Sequence, residues 1–253
     1  MAVTGPFAID VEDIGFRYPG NPEVSFSKLS LKIAKGARFG LFGPNGAGKT
    51  TLISLMTGLL LADEGHIKLL GQEVGKPNST VNRLFGFVPQ DFSFYQELSP
   101  VENLEFFGAW SGLDKKTIKT RTDELLGILG LDDVRNKRVE KFSGGMKRRV
   151  NLAIGVIHKP SVLFLDEPTV GVDVQTRLAI IDYLKDLNKN GTTLVYTSHQ
   201  LSEAEGLCEQ VALIDDGKII AQDSLGKLLK DHKQDSLEQM FLDLTGKDIR
   251  NDV

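Results

Sequence analysis

Residues Gly43-Pro44-Asn45-Gly46-Ala47-Gly48-Lys49-Thr50 fit the pattern G-x-x-x-x-G-K-[ST]. The chemistry this pattern supports is the grip of a polyphosphate. Glycines let the backbone curl until successive N–H groups point inward at phosphate oxygens. A helix beginning at the loop adds the partial positive charge of its N-terminus. Lys49 then neutralises the terminal phosphates, and the Thr50 hydroxyl is placed to ligate Mg²⁺. A Gly-rich turn could match the pattern by accident. Against that stand an apolar strand-like run before it and a helical pattern after it.

A second group of candidates is the carboxylate pair closing Val162-Leu163-Phe164-Leu165-Asp166-Glu167. Four apolar residues in a row predict a buried strand. Its C-terminal edge is where open α/β sheets bind ligands. Asp166 suits a metal, directly or through water, and Glu167 suits a base that polarises an attacking water. Strands also end in acidic turn residues without any chemistry, so the pair gains weight only beside the phosphate loop. Ser143-Gly144-Gly145-Met146-Lys147-Arg148-Arg149 is a second glycine-bearing helix start, with Ser143 as cap and bare N–H groups open to an anion. By itself it is an ordinary helix start.

The elements that must position these groups are readable around them. Phe7 to Arg17, Leu29 to Ile33 and Arg38 to Phe42 predict strands, separated by turn residues at Tyr18-Pro19-Gly20-Asn21-Pro22 and Lys35-Gly36. Leu52, Leu55, Met56 and Leu59 recur at helical spacing and predict a helix from about Lys49 to Leu61. A short strand pair is expected over His66 to Val74. Ser99-Pro100-Val101-Glu102 is a capping box with Pro at the first helical position. Further helices are expected over Ile118 to Leu129 and Val150 to Ile157. Val162 to Leu165 and Thr192 to Thr197, with a helix near Arg177 to Lys189 between them, give the βαβ alternation of a parallel sheet. Asp215-Asp216-Gly217 predicts a tight hairpin. From Ser224 the chain reads as charged and helical, with Leu237, Met240, Phe241 and Leu244 on one face.

The 253 residues have 41% hydrophobic and 25% charged composition and a formal net charge of −4, which suits a globular protein. That charge gives no reason to expect nucleic acid as a partner. No run approaches the 18 or so apolar residues of a membrane span, and the N-terminus does not read as a signal peptide. Cys208 is the only cysteine, so an intrachain disulfide is excluded and a packed small hydrophobe is expected. The chain is therefore expected to be soluble, reaching a membrane only through a partner.

Together these motifs resemble the nucleotide-binding subunit of ABC transporters, along nearly the whole chain. The resemblance assigns Gly43 to Thr51, with Asn45, Gly46, Ala47, Gly48, Lys49 and Thr50, to the Walker A motif. Tyr18 takes the place of the aromatic ring that stacks on adenine. Gln90, in Phe87-Val88-Pro89-Gln90-Asp91, matches the Q-loop glutamine that contacts Mg²⁺ and couples to the membrane subunit. Phe142-Ser143-Gly144-Gly145-Met146 looks like the signature motif. Asp166 and Glu167 match Walker B and its catalytic carboxylate. Asp173, in Gly171-Val172-Asp173, resembles the D-loop, and His199 the switch histidine. Phe142 and Met146 replace the commoner Leu and Gln of the signature. With the run Lys147-Arg148-Arg149, otherwise a solvated or phosphate-adjacent helix face, and with Ser236 to Leu242, that variant is similar to the branch exporting drugs, lipids and polysaccharides.

What the resemblance implies is an α/β fold: a P-loop NTPase cassette with a RecA-like core over about 1–90 and 160–223. An antiparallel N-terminal β subdomain, an inserted helical subdomain over about 91–159 and a helical tail over about 224–253 complete it. ATP and Mg²⁺ are the expected substrate and cofactor, with hydrolysis to ADP and phosphate. Two cassettes are expected to pair head to tail, Ser143, Gly144 and Gly145 of one gripping the γ-phosphate held by the other. A separately encoded transmembrane permease is the expected partner, holding the cassette on the inner face of the cell membrane from the cytoplasm. Phe92, Phe94 and Tyr95 are candidates either for docking that permease or for core packing. A soluble cassette not engaged in transport shares every ATP-site residue and is the alternative.

Overall fold

The computed structural model describes residues 5–20, 25–76, 81–199, 201 and 206–246. In chain order the elements are β1 (Phe7–Phe16), β2 (Phe26–Ala34), β3 (Arg38–Phe42), α1 (Lys49–Met56), β4 (Glu64–Leu69) and β5 (Gln72–Glu73). Next come β6 (Phe85–Val88), α2 (Pro100–Trp110), α3 (Lys115–Ile128), α4 (Gly144–Val156), β7 (Val162–Asp166) and α5 (Val174–Lys189). The chain closes with β8 (Thr193–Ser198), β9 (Gln210–Asp215), β10 (Lys218–Ser224), α6 (Leu225–His232) and α7 (Leu237–Thr245). They fall into two compact units, Met1–Asn82 with Thr193–Val253, and Arg83–Thr192.

In the first unit β2, β1, β4 and β5 form an antiparallel sheet. Strand β3 runs parallel to both β8 and β9, and β10 turns back antiparallel on β9. Residues Phe39, Leu41 and Phe42 of β3 are fully buried, as a strand covered on both faces must be. That apolar burial, at about 1.5–3 kcal/mol for each large side chain, anchors the loop that follows. The hairpin expected at Asp215-Asp216-Gly217 is present, with left-handed φ of 45° at Asp216 and 70° at Gly217.

Helix α1 is shorter than its apolar spacing suggests. It stops at Met56, where the Thr57 hydroxyl donates to Ile53 O at 2.9 Å and Gly58 turns left-handed at φ 76°. Leu59 and Leu61, expected in the helix, lie beyond it and are exposed. The C-terminal segment breaks in two at Lys233, left-handed at φ 54°. Leu237, Met240 and Phe241 of α7 are buried, whereas Leu244, in its last turn, is exposed. Parts of two expectations, Asn21-Pro22 in the first turn and 247–253 of the tail, lie outside the described residues.

The second unit pairs β6 with β7 in parallel and packs helices on them. It is wider than the helical stretch 91–159. One cause is the close approach of α4 to β6: a Cβ on Gly86 would lie 2.0 Å from Gly155 O, and one on Gly155 2.5 Å from Val88. Helix and strand touch backbone to backbone there, so the strand belongs with the helix. The capping box at α2 forms, with Ser99 Oγ accepting from Glu102 N and Glu102 accepting from Ser99 N. Helix α4 starts at Gly144, earlier than its apolar periodicity over Val150 to Ile157 indicates, because Ser143 caps it.

Candidate functional site

Tyr18, Gly43 to Thr51 and His199 fall in the first unit. Gln90, Ser143 to Gly145, Asp166, Glu167 and Asp173 fall in the second. In the first unit, β3 delivers the glycine loop at the C-terminal end of a parallel strand. A Cβ on Gly43 would sit 2.1 Å from Ile214 O, so that position accepts only glycine. Gly46 and Gly48 hold left-handed φ values of 79° and 104°, which curl the loop back on itself. Lys49 is buried at 6% exposure, and its ammonium donates to Gly43 O at 2.8 Å and Pro44 O at 2.9 Å. The loop is thus wrapped around a cation.

Helix α1 has Gly48 as its N-cap and no side-chain cap, and a helix N-terminus carries the partial positive charge that suits an anion. Asn45, Gly46 and Thr50 are exposed, while Ala47 is buried and its carbonyl accepts from Gly217 N at 3.2 Å. Tyr18 reaches the same place. Its hydroxyl lies 3.0 Å from Thr51 Oγ1, and its ring meets Phe16 edge-on at 4.9 Å. In the parallel register Phe42 stands opposite Ser198, so His199 follows at the sheet edge beside Gly43.

In the second unit all of β7 is buried, and it carries Asp166 at 1% and Glu167 at 6% exposure to its C-terminal end. Glu167 adopts a left-handed φ of 49°, a conformation that a non-glycine residue holds only when its surroundings enforce it. Gln90, two residues past β6, donates from Nε2 to Glu167 Oε2 at 3.2 Å. Two residues distant in sequence thus meet at one carboxylate.

The second glycine-bearing start is built differently. Ser143 Oγ accepts from Met146 N at 3.3 Å, and Ser143 and Gly144 are exposed. Asp173 lies beside it, since a Cβ on Gly145 would be 3.6 Å from Asp173 Oδ2. Asp173 itself caps α5: Oδ1 accepts from Thr176 N at 2.9 Å and Oδ2 from the Thr176 hydroxyl at 2.7 Å. The Thr176 N–H and hydroxyl hold its carboxyl below the ordinary value.

A family model described as "ABC transporter" matches residues 26–170, more than half of the chain. The chain belongs to the ABC transporter family. It carries that family's ATP-binding cassette. The linearmycin resistance ATP-binding protein LnrL of Bacillus subtilis is 44% identical over 76% of this chain and 62% of its own length. The daunorubicin resistance ATP-binding protein DrrA3 of Streptomyces coeruleorubidus is 38% identical over 87% of this chain and 69% of its own. The Nod factor export ATP-binding protein I of a Rhizobium species is 38% identical over 81% of this chain and 67% of its own. The chain thus spans about two thirds of the length of these relatives. Among solved structures, an ATP-binding subunit of an ABC transporter superposes with a TM-score of 0.87 at 24% identity, over 94% of this chain and 99% of that one. A dimeric cassette solved with ADP and phosphate gives 0.79 at 24% identity, over 86% and 98%. Both share the cassette fold.

Sequence reasoning missed one residue and misjudged its neighbours. The run Lys147-Arg148-Arg149, expected as a solvated or phosphate-adjacent helix face, is buried at Arg148 and half-buried at its two neighbours. Arg148 is 6% exposed, Arg149 donates to Leu129 O at 2.8 Å, and Lys147 to Gln96 Oε1 at 3.0 Å. The signal was available in helical spacing, because Arg148, Asn151, Leu152 and Gly155 share one face and all are buried. Of the candidate docking aromatics, Phe92 and Phe94 pair at 5.4 Å and are half-buried. Tyr95 packs at 5.0 Å on Phe106 of α2, and both rings stay more than 40% exposed.

Proposed function

We propose that this chain is the ATP-hydrolysing motor of an exporter whose cargo path lies in a separate membrane subunit. The observation that carries the reading is the Gln90–Glu167 contact at the buried end of β7. In this reading the Walker A loop and Lys49 neutralise the phosphates of ATP, with Tyr18 against the adenine. Glu167 accepts the proton of a water as its oxygen attacks the γ-phosphorus. The bond to the β-phosphate oxygen breaks, and ADP and phosphate leave. His199, at the sheet edge beside the loop, contacts the γ-phosphate.

The donor set suits Mg²⁺. The Thr50 hydroxyl, the Gln90 amide oxygen and the Asp166 carboxylate are hard oxygens. Among the described residues no cluster of three or more His, Cys, Asp or Glu forms a metal cage. Hard oxygens of this kind suit an ion that keeps waters and phosphate oxygens as ligands. Bound there, it would supply charge neutralisation of the phosphates.

The exposed start of α4 supports a trans role, in which Ser143, Gly144 and Gly145 meet the nucleotide of a second cassette head to tail. Asp173, beside Gly145, belongs to the same contact. Export rather than import is supported by the relatives, which are named for drug resistance and for export. They give no support to the soluble, non-transport alternative. No described helix is long and apolar enough to cross a membrane, and in this reading the permease is a separate subunit. The aromatic cluster of Phe92, Phe94 and Tyr95 is its docking candidate on the inner membrane face.

Glu167→Gln tests the core of the proposal. ATP binding is expected to persist while turnover falls by roughly a thousandfold, the scale of general-base catalysis. Wild-type turnover in that variant would show that the carboxylate is not catalytic. For the partner, Phe94→Ala is expected to keep the fold and weaken copurification with a multi-span membrane protein. Undiminished copurification removes the docking role.

A further inference from the structure

We propose that Arg148 is a positioning residue for hydrolysis: its guanidinium clamps the loop carrying Gln90 to the loop leaving Glu167 and so sets their contact. The inference rests on the reading of Gln90 and Glu167 given above. Arg148 stands in the second turn of α4. Its Nη1 donates to Gln90 O at 2.7 Å and to Pro89 O at 3.4 Å. Its Nη2 donates to Val170 O at 3.4 Å, in the turn that follows Glu167. The cation lies over the Phe92 ring, 4.9 Å from its centre. Asn151, on the same helix face, donates to Pro89 O at 3.0 Å, so α4 grips that carbonyl twice.

Packing alone does not account for an arginine here. Burial pulls its pKa below the ordinary value, opposed by the charges of Asp91 and Glu167. Its Nε is buried without an acceptor among the described residues. An unsatisfied buried donor is costly, and a methionine would fill similar space without one. What arginine alone supplies is a planar fork that reaches carbonyls on two loops while stacking on a ring. Because the fork holds Gln90 by its own carbonyl, moving the fork moves the amide that meets Glu167. The same guanidinium belongs to the helix that begins at Ser143. The clamp therefore joins the signature helix to the catalytic carboxylate through one side chain.

The test is a double-mutant cycle on the full chain, reading kcat and KM for ATP together with the melting temperature. Arg148→Lys keeps the charge but loses the fork. It is expected to lower kcat about tenfold with KM changed less than about twofold, a coupling typical of contacting residues. In a Gln90→Ala background the same change is expected to cost less than about twofold, because the amide being positioned is gone. An equal loss in both backgrounds means a general structural role and overturns the proposal, as does unchanged kcat in a folded variant. If Arg148→Lys does not fold, Phe92→Leu removes the ring beneath the fork. It should lower kcat about threefold, and only when Gln90 is present. Glu167→Gln separates the two readings. If it stops turnover while Arg148→Lys and Phe92→Leu are silent, the clamp fails and the site stands. If it turns over like the wild type, both fall.

Discussion

Helices α1 and α4 both begin on glycines, yet their first turns are completed in different ways. At α1 the cap is Gly48 in a left-handed conformation with no side chain to offer, and a buried lysine follows at once. At α4 the cap is Ser143, whose hydroxyl already satisfies Met146 N. One start carries no side-chain cap. The other is partly self-sufficient and faces solvent. The glycines differ in the same sense. Gly43 is pressed against Ile214 O, whereas a Cβ on Gly144 would meet only Gly171 O at 3.7 Å, an ordinary contact. Similar motifs thus make a tightly packed loop in one case and an open, solvent-facing one in the other.

The sharpest way to break this comparison is to add a methyl group at each place. Gly43→Ala is expected to destabilise the chain by about 3 kcal/mol or more and to abolish ATP binding, because the strained atoms are backbone. Gly144→Ala is expected to stay within about 1 kcal/mol of the wild type, since it relieves a helix glycine without a clash. Denaturant melts of the two variants measure this directly, and equal destabilisation would erase the distinction between packed loop and open one. Next in size, Lys49→Ala should weaken ATP binding by roughly a hundredfold, the loss of two charge-assisted contacts at about 1.5 kcal/mol each. Equilibrium binding of a fluorescent ATP analogue reads it. Smallest is Ser143→Ala. Loss of the cap costs about 1 kcal/mol of stability. Binding of ATP to a single chain should remain unchanged while turnover at dimerising concentrations drops. If single-chain binding falls as well, Ser143 serves the same cradle as Lys49.

Much of this was legible beforehand, for identifiable reasons. The Walker A pattern was legible because its glycines, lysine and hydroxyl stand between a strand and a helix, where the structure also places them. The capping box at Ser99 and the hairpin at Asp216-Gly217 were legible because each is decided within four residues. The end of α1 was not. Leu59 and Leu61 continue the apolar spacing, but Gly58 turns the backbone and leaves both exposed. Arg148 was missed because three basic residues in a row look like surface until the helix phase is known. Asp173 was expected from its resemblance to the D-loop; that its carboxylate also caps α5 was not foreseen.

By itself, then, the sequence determined the local geometry: which glycine loop joins a strand to a helix, which carboxylates end a buried strand, which serine caps a helix. These follow from short-range geometry and residue type. Only the tertiary structure decided who meets whom across distance. Gln90 and Glu167 come together because β6 and β7 pair in parallel and end side by side. Arg148 reaches both of their loops because glycines at 86 and 155 let α4 lie directly on β6. Contacts of that kind depend on sheet register and on the closeness of packed backbones, which no short stretch of sequence encodes.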